Sequence, residues 1–340
     1  MKKISGNSLI IKEVNINLVR NVLKEMEQAT KQQIAEAADL SIVTIGTVLQ
    51  ELLKQNEVFE VELSLSKGGR PAQQFKYNAD YALVLILYPH EVAGATVIHS
   101  AVVNLLGKHV YKRDVKVENV DLVSFEQIID EFIVSYPAIQ AIGLGLPGAE
   151  YGGKMIVSDY KALLGVSIIE YFSTRYQKPV IVENDVNAAV IGFSKRKGID
   201  DESTIIYLYF PESYPPGAGI FINGKLYKGK RNFAGEVANM PLGISWVNVN
   251  LYTSFDLVCE AIAKLTMAIS SVLNVDMVAL QGNFLNQDHI VTIAQKCNIE
   301  LPQSAMPRIL LSEHFADDYL SGMIVQTLET LEPSIVLSKK

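Results

Sequence analysis

The chain has 340 residues, with 30 Lys+Arg against 37 Asp+Glu for a formal net charge of −7. At roughly 150 residues per domain that allows two or three domains, and 49% apolar with 20% charged residues excludes a disordered or low-complexity chain. The longest apolar runs, such as 81–88, fall far short of the roughly 18 residues of a membrane span.

No apolar stretch follows Lys2 and Lys3 to make a secretory signal. Cys259 and Cys297 are too few for a disulfide framework or a thiolate metal site, so the expected setting is the cytosol. Residues 1–76 carry 10 basic and 9 acidic residues, and the remainder carries 20 and 28. A near-neutral head on an acidic body suggests two tasks in one chain.

The spacing of Leu18, Val22 and Met26 predicts a first helix over about 17–28. Thr30 and Gln33 have the spacing of a capping box that opens a second helix, with Ile34, Ala35 and Ala38 on its buried face. Ser41 caps a third helix whose core stripe is Ile45, Val48, Leu49 and Leu52. Two alternating strands follow, 58–65 and 73–77, joined by the turn residues 66–71.

Helix–turn–helix plus hairpin is a winged-helix pattern; a small helical protein-interaction domain is the alternative. In the DNA reading, Ser41, Ile42, Val43, Thr44 and Thr47 enter the major groove, with Gln50 one turn on. Lys67 and Arg70 at the wing tip then meet phosphates or a minor groove.

From 79 the pattern changes. Strands are expected at 83–88, 95–103 and 109–117, a helix at 125–135 and a strand at 139–146. A helix at 168–176, a strand at 179–183 and a helix at 187–197 come next, then strands at 204–210 and 218–222. Long helices close the chain near 255–273 and 322–331. Three strands, helix–strand alternation and a repeat of that theme predict a two-lobed α/β body with a cleft between lobes. The expected units are 1–78, 79–190 and 191–340.

Four pieces can carry chemistry. Gly143-Leu-Gly145-Leu-Pro-Gly148 has dinucleotide-loop spacing, but Pro147 interrupts the helix that reading needs, so a tight turn at a cleft edge is expected. Glu183-Asn184-Asp185-Val186-Asn187 ends a strand and opens a helix. A carboxylate there suits a general base or a ligand hydroxyl, and helix capping is the other account. Gly217-Ala-Gly219 suits a phosphate loop or a plain hairpin turn, although Pro215 and Pro216 remove two amide donors. Ala234-Gly235-Glu236 places a carboxylate beside a glycine, fit to bind a polyol, and the basic run Lys225, Lys228, Lys230, Arg231 reads as a solvated loop. No His/Cys cluster has metal-ligand spacing.

Taken in order, these blocks resemble the ROK family of repressors and sugar kinases. The resemblance rests on the winged helix with its Gly-Gly-Arg-Pro wing at 68–71, Gly145-Leu-Pro-Gly148, the block 183–189, and Ile222-Asn223-Gly224-Lys225-Leu226-Tyr227 before Ala234-Gly235-Glu236. It implies an actin-like (ribonuclease H-like) ATPase fold for the body, sugar in the cleft, and homo-oligomeric regulators of carbohydrate genes. By position it makes Asn184 and Asp185 the sugar-binding pair, with Asp185 where kinases keep their base. Glu236 becomes a second hydroxyl ligand, and Gly145, Pro147 and Gly148 become the cleft floor.

Departures are as informative. The family's Asp-x-Gly-x-Thr phosphate loop is replaced by 85–90, Leu-Ile-Leu-Tyr-Pro-His, and its Gly-Thr-Gly-x-Gly loop by 214–219, Tyr-Pro-Pro-Gly-Ala-Gly. Phosphoryl transfer depends on positioning and on charge neutralisation by a metal, so losing both loops should disable it. The family's zinc histidine is Asn239 and its cysteine cluster is missing; Asn239 can still bind a hydroxyl. Lys161, in the segment 158–164, can greet an anionic sugar or stand on the surface.

The expectation is a cytosolic regulator of carbohydrate genes, probing operator DNA with its winged helix and sensing a sugar or sugar derivative without catalysis. No cofactor, metal or membrane partner is expected, and the assembly should be a homodimer or a dimer of dimers. A constitutive DNA-binding or scaffold protein whose body only oligomerises, and an active sugar kinase, are the alternatives.

Overall fold

The computed structural model describes residues 4–61, 73–92, 94–200, 202–211 and 214–332. The head contains α1 (Ile4–Met26), β1 (Gln28–Thr30), α2 (Lys31–Ala38), α3 (Ile42–Lys54), β2 (Val58–Val61) and β3 (Gln74–Tyr77), its strands ordered β1-β3-β2. Helix α1 starts well before the expected 17. It ends at Met26 because Glu27 turns to positive φ and Gln28–Thr30 pairs with β3.

The caps were correctly placed. Thr30 and Gln33 form a reciprocal capping box on α2, and Ser41 Oγ accepts from Thr44 N at 3.1 Å to open α3. The stripe Ile45, Val48, Leu49 and Leu52 is buried against Val19, Leu23 and Ile34. Arg20 donates to both oxygens of the buried Glu57, at 2.7 and 2.9 Å, and so pins α1 to the loop after α3. Glu57→Gln keeps one acceptor oxygen, loses the charge, and sets an amide NH2 against one of the two Arg20 donors. It should cost about 1–2 kcal/mol, read as a lower urea midpoint for the head.

A 3-10 turn, Ala79–Tyr81, leads into the first lobe. That lobe holds β4 (Leu83–Val92), β5 (Ala95–Asn104), β6 (His109–Val117), α4 (Leu122–Ser135), β7 (Ile139–Gly145), β8 (Gly148–Tyr151), β9 (Lys154–Ser158), α5 (Ile168–Tyr176), β10 (Val180–Glu183) and α6 (Asp185–Lys197). The second holds β11 (Thr204–Tyr209), β12 (Gly217–Ile222), β13 (Lys225–Leu226), α7 (Val249–Thr253), α8 (Phe255–Leu273), β14 (Met277–Gln281), α9 (Gln287–Glu300), β15 (Arg308–Leu311) and α10 (Phe315–Glu329).

The two main sheets repeat one topology. Their orders are β10-β7-β4-β5-β6 and β13-β12-β11-β14-β15: each first strand is central, antiparallel to its hairpin partner on one side and parallel to the crossover strand on the other. This is the two-lobed, actin-like arrangement expected. Helices α6 and α10 pack between the sheets, sharing one core with Val84 and Ile86 of the first sheet and Tyr207 and Ala279 of the second.

Two expectations need correction here. A lobe boundary after 190 cuts through α6, which runs unbroken to Lys197. The last helix returns to the first lobe, where Thr327 lies against Gly143 of β7 and Tyr319 against Gly145. That helix also begins at Phe315, seven residues before the expected start. Its first turns carry Asp318 and Gly322, which break an apolar stripe in the sequence yet are buried. Asp318 accepts from Arg196 Nε and Nη2 at 2.9 and 2.7 Å, Ser312 Oγ at 2.6 Å and Tyr207 OH at 3.1 Å.

Candidate functional site

On the head, the N-terminal part of α3 is open. Ile42 and Val43 are 58% and 80% exposed, Ser41, Thr47 and Gln50 are exposed, and Thr44 is half-buried. An exposed Ile-Val pair on a helix with a buried opposite face has no packing purpose of its own. Two of the polar residues have local duties: Thr44 Oγ1 shares a hydrogen bond with Ser41 Oγ, and Thr47 Oγ1 donates to the Val43 carbonyl. Lys67 and Arg70 of the expected wing lie outside the described residues.

The body has a cleft of about 740 Å³ between its lobes. Gly148, Asn184, Asp185, Glu236 and Asn239 all line it, from the start of β8, the end of β10, the start of α6 and a 3-10 turn, Val237–Asn239. The parallel strands β7 and β10 deliver their carboxyl ends to the same edge, where ligands of α/β sheets commonly bind. Lys161 is not in the lining. Its turn is anchored by Leu163 in the first-lobe core, and Lys161 itself is exposed.

Asn184 is mainly structural. Its Oδ1 accepts from Val186 N at 2.9 Å and Asn187 N at 3.1 Å, capping α6, and its Nδ2 donates to the Gly148 carbonyl at 3.1 Å. Gly148 has φ +120, and a Cβ there would overlap the Val157 carbonyl oxygen of the neighbouring strand, so only glycine serves. The dinucleotide-like spacing is therefore a tight turn into the β8–β9 hairpin, as expected.

Asp185 opens α6 with Oδ1 accepting from Val186 N at 2.9 Å. Burial pushes its carboxyl up to about 6, and Asp159 adds repulsion, against partial relief from backbone amides and Asn184. Burial also raises Asp159 and Glu236.

Sequence reasoning missed several lining groups. Glu183, buried, accepts at Oε1 from Asn184 N at 2.9 Å and Asn187 Nδ2 at 3.2 Å, and at Oε2 from Gln326 at 2.8 Å and Lys228 at 2.6 Å. Lys228 thus ties the second lobe to the first, where the basic run had been read as a solvated loop. Asn232 donates to the Glu150 carbonyl at 2.5 Å and strengthens that tie. Glu91, Tyr160, Tyr214 and Tyr319 also line the cleft. They come from four separate stretches of chain, so no local pattern marks them.

The hairpins β4–β5 and β11–β12 reach the cleft with Pro89, His90, Glu91, Gly94, Thr96, Pro211, Tyr214, Pro215, Pro216 and Gly217. The four prolines present no amide and Glu91 repels anions, so these residues are a poor match for a nucleotide phosphate. Among the described residues no three His, Cys, Asp or Glu side chains converge to hold a metal. Cys259 and Cys297 are buried in the second-lobe core, so zinc does not fit either.

A ROK family profile matches residues 92–248. A protein named "Putative xylose repressor" from Caldicellulosiruptor sp. (strain Rt8B.4) is 24% identical over 347 residues, covering 98% of this chain and 84% of its own length. The xylose repressor of Caldicellulosiruptor bescii is 26% identical over 249 residues, 70% of this chain and 61% of that protein. Among solved structures, a ROK family transcriptional regulator described as a homolog of the E. coli MLC protein superposes with TM-score 0.68 at 15% identity, covering 94% of this chain and 97% of that one. A ROK hexokinase from Thermus thermophilus matches the fold at TM-score 0.59 and 16% identity, over 73% of this chain and 99% of its own. Among the described residues no helix is long and apolar enough to cross a membrane.

Proposed function

We propose that this chain, a member of the ROK family, is a sugar-responsive transcriptional repressor that senses its effector without phosphorylating it. The observation that carries the reading is the union of an exposed, well-capped α3 with a cleft to which the β4–β5 and β11–β12 hairpins bring four prolines and the carboxylate Glu91. Operator DNA is its macromolecular partner, and it works in the cytoplasm, where that DNA is. In this reading α3 reads the major groove through Ser41, Ile42, Val43, Thr44, Thr47 and Gln50, and Lys67 and Arg70 meet the backbone or minor groove. In the cleft Asp185, Glu236 and Asn239 hold effector hydroxyls, while Asn184 and Gly148 fix the wall behind them.

Coupling has a physical route. Phe315 and Tyr319 of α10 line the cleft, and Glu332, just beyond the helix, pairs with Lys24 of α1 at 3.6 Å. Lys108 of the β5–β6 turn also pairs with Glu27 of the head, at 2.7 Å. An effector that prefers one lobe setting moves the base on which the head stands. In a homodimer or dimer of dimers this changes the spacing of two reading helices against two half-sites. About tenfold preference per site supplies ~1.4 kcal/mol each, so both sites of a dimer contribute.

Selection of binding sequences from a random duplex pool tests the reading. The enriched site should be a pair of related half-sites, and a sugar or sugar derivative should change its affinity. Val43→Glu and Gln50→Glu should each weaken that complex at least about tenfold, because a carboxylate faces a base edge or phosphate without compensation. Neither should move the melting temperature, since both residues are exposed. Turnover of ATP with a sugar that collapses in Asp185→Ala would overturn the non-catalytic part. A head that selects no sequence would overturn the repressor.

A further inference from the structure

One group of lining residues goes unused by hydroxyl recognition alone. Glu91 comes from the β4–β5 hairpin, Asp159 and Tyr160 follow β9, and Tyr214 lies in the β11–β12 connection, yet all four line the same cleft. Tyr160 lies in the field of Asp159, Asp185, Tyr214 and Glu91, and Tyr214 in that of Asp159 and Glu91. Two carboxylates beside two electron-rich rings form the kind of environment that attracts an ammonium group.

Little positive charge in the cleft opposes them. Among the described residues the lining holds one Lys or Arg, Lys228, and it is spent on Glu183 at 2.6 Å. His90 is held toward its neutral form by burial and by the neighbouring His99. A second observation points to a ligand in the same cleft. Tyr319 is 2% exposed and lines the cleft, and its hydroxyl has no hydrogen-bond partner although it lies in the field of Asp185 and Tyr160. A buried hydroxyl left unpaired is unfavourable, so a bound polar group is its natural complement.

We propose that the effector is a cationic, amine-bearing polyol: its ammonium sits among Glu91, Asp159, Tyr160 and Tyr214, and its hydroxyls face Asp185, Glu236 and Tyr319. This rests on the cleft being the effector site. An anionic sugar meets six lining carboxylates, one of them paired with Lys228, and no free lysine. A neutral sugar satisfies Asp185 and Glu236 but brings no charge to Glu91 and Asp159, which have no cation beside them among the lining residues. An ammonium group supplies that charge and donates up to three hydrogen bonds.

Calorimetric titration of the full chain tests this with matched series. The probes are hexoses and pentoses, each as the free amine, the N-acetyl derivative, the neutral parent and the phosphate. The free amine of one series should bind at least about tenfold tighter than its neutral and N-acetyl relatives, the ratio expected when a hydrogen bond becomes charge-assisted. The phosphate should not bind. The double variant Glu91→Gln, Asp159→Asn should bring the amine down to the neutral parent's affinity and leave the parent's own affinity unchanged. Its melting temperature should hold, which separates the result from misfolding. A neutral or N-acetylated sugar that binds as tightly as the amine, in an Asp185-dependent way, overturns the ammonium site and leaves the cleft reading standing. Silence of every series overturns the cleft reading, and the inference with it.

Discussion

Asp185→Asn should raise the melting temperature of the protein above pH 6 by a few degrees while erasing its response to effector. The carboxyl lies near 6 in the folded chain against 3.8 in the unfolded one, mainly through burial. Below pH 3.8 both states hold the proton and Asp185 has no differential effect. Between 3.8 and 6 the folded state keeps a proton that the unfolded state has released, so stability falls as pH rises through this window. Above pH 6 the whole penalty is present, about 2–3 kcal/mol at most. Asparagine has no proton to lose and can still accept from the Val186 amide, so the variant's stability should be flatter in pH.

Melting curves at pH 4, 5, 6 and 7.5 check the sign. The gap between variant and parent should open with rising pH, and a variant that melts lower at pH 7.5 would show that Asp185 is stabilising as an anion. The same exchange removes a charged acceptor from the cleft, so effector affinity should fall at least about tenfold. A stability gain coupled to lost binding is the mark of a group kept for function.

That residue also shows what could be read from the chain. A carboxylate after a strand end and before a helix was legible as a cleft residue, and so was the winged helix, because its caps are local: Thr30, Gln33 and Ser41 act within three residues of themselves. Asn184 was half legible. Its position suggested a ligand group, but its oxygen caps α6 and its amide holds Gly148. Strands β14 and β15 left no readable alternation, since β14 is buried at every position and β15 is flanked by irregular chain, as parallel strands beneath helices tend to be.

The acidic and aromatic half of the cleft was illegible for a different reason. Glu91, Asp159, Tyr214 and Tyr319 meet only when both lobes have folded and α10 has crossed back between them. Lys228 reads as one cation in a basic loop until its partner, 45 positions earlier, is known.

Gly322→Ala should be among the most damaging small substitutions in the body. In an ordinary helix interior the exchange stabilises by about 0.5–1 kcal/mol, because alanine has the better propensity. At Gly322 the added Cβ would overlap the Ala188 carbonyl oxygen of α6, and at the facing Gly192 a Cβ would overlap the Asp318 carbonyl oxygen of α10. The helices touch backbone to backbone, so no side chain can yield, and they must move apart. Separation loosens a core shared by both sheets and stretches the Arg196–Asp318 pair, whose carboxylate is fully buried.

Overpacking a core costs about 1–3 kcal/mol where side chains can adjust. With backbone on both sides the expected loss is at the top of that range or beyond, on the order of a 10 °C fall in melting temperature. Gly46→Ala supplies the control. It is also a helical glycine, with nothing within 4 Å of its added carbon, and it should gain the propensity term alone. If the two exchanges move the melting temperature in opposite directions, the close approach of α6 and α10 is what holds the lobes as one body. If Gly322→Ala stabilises as Gly46→Ala does, the helices do not cross there.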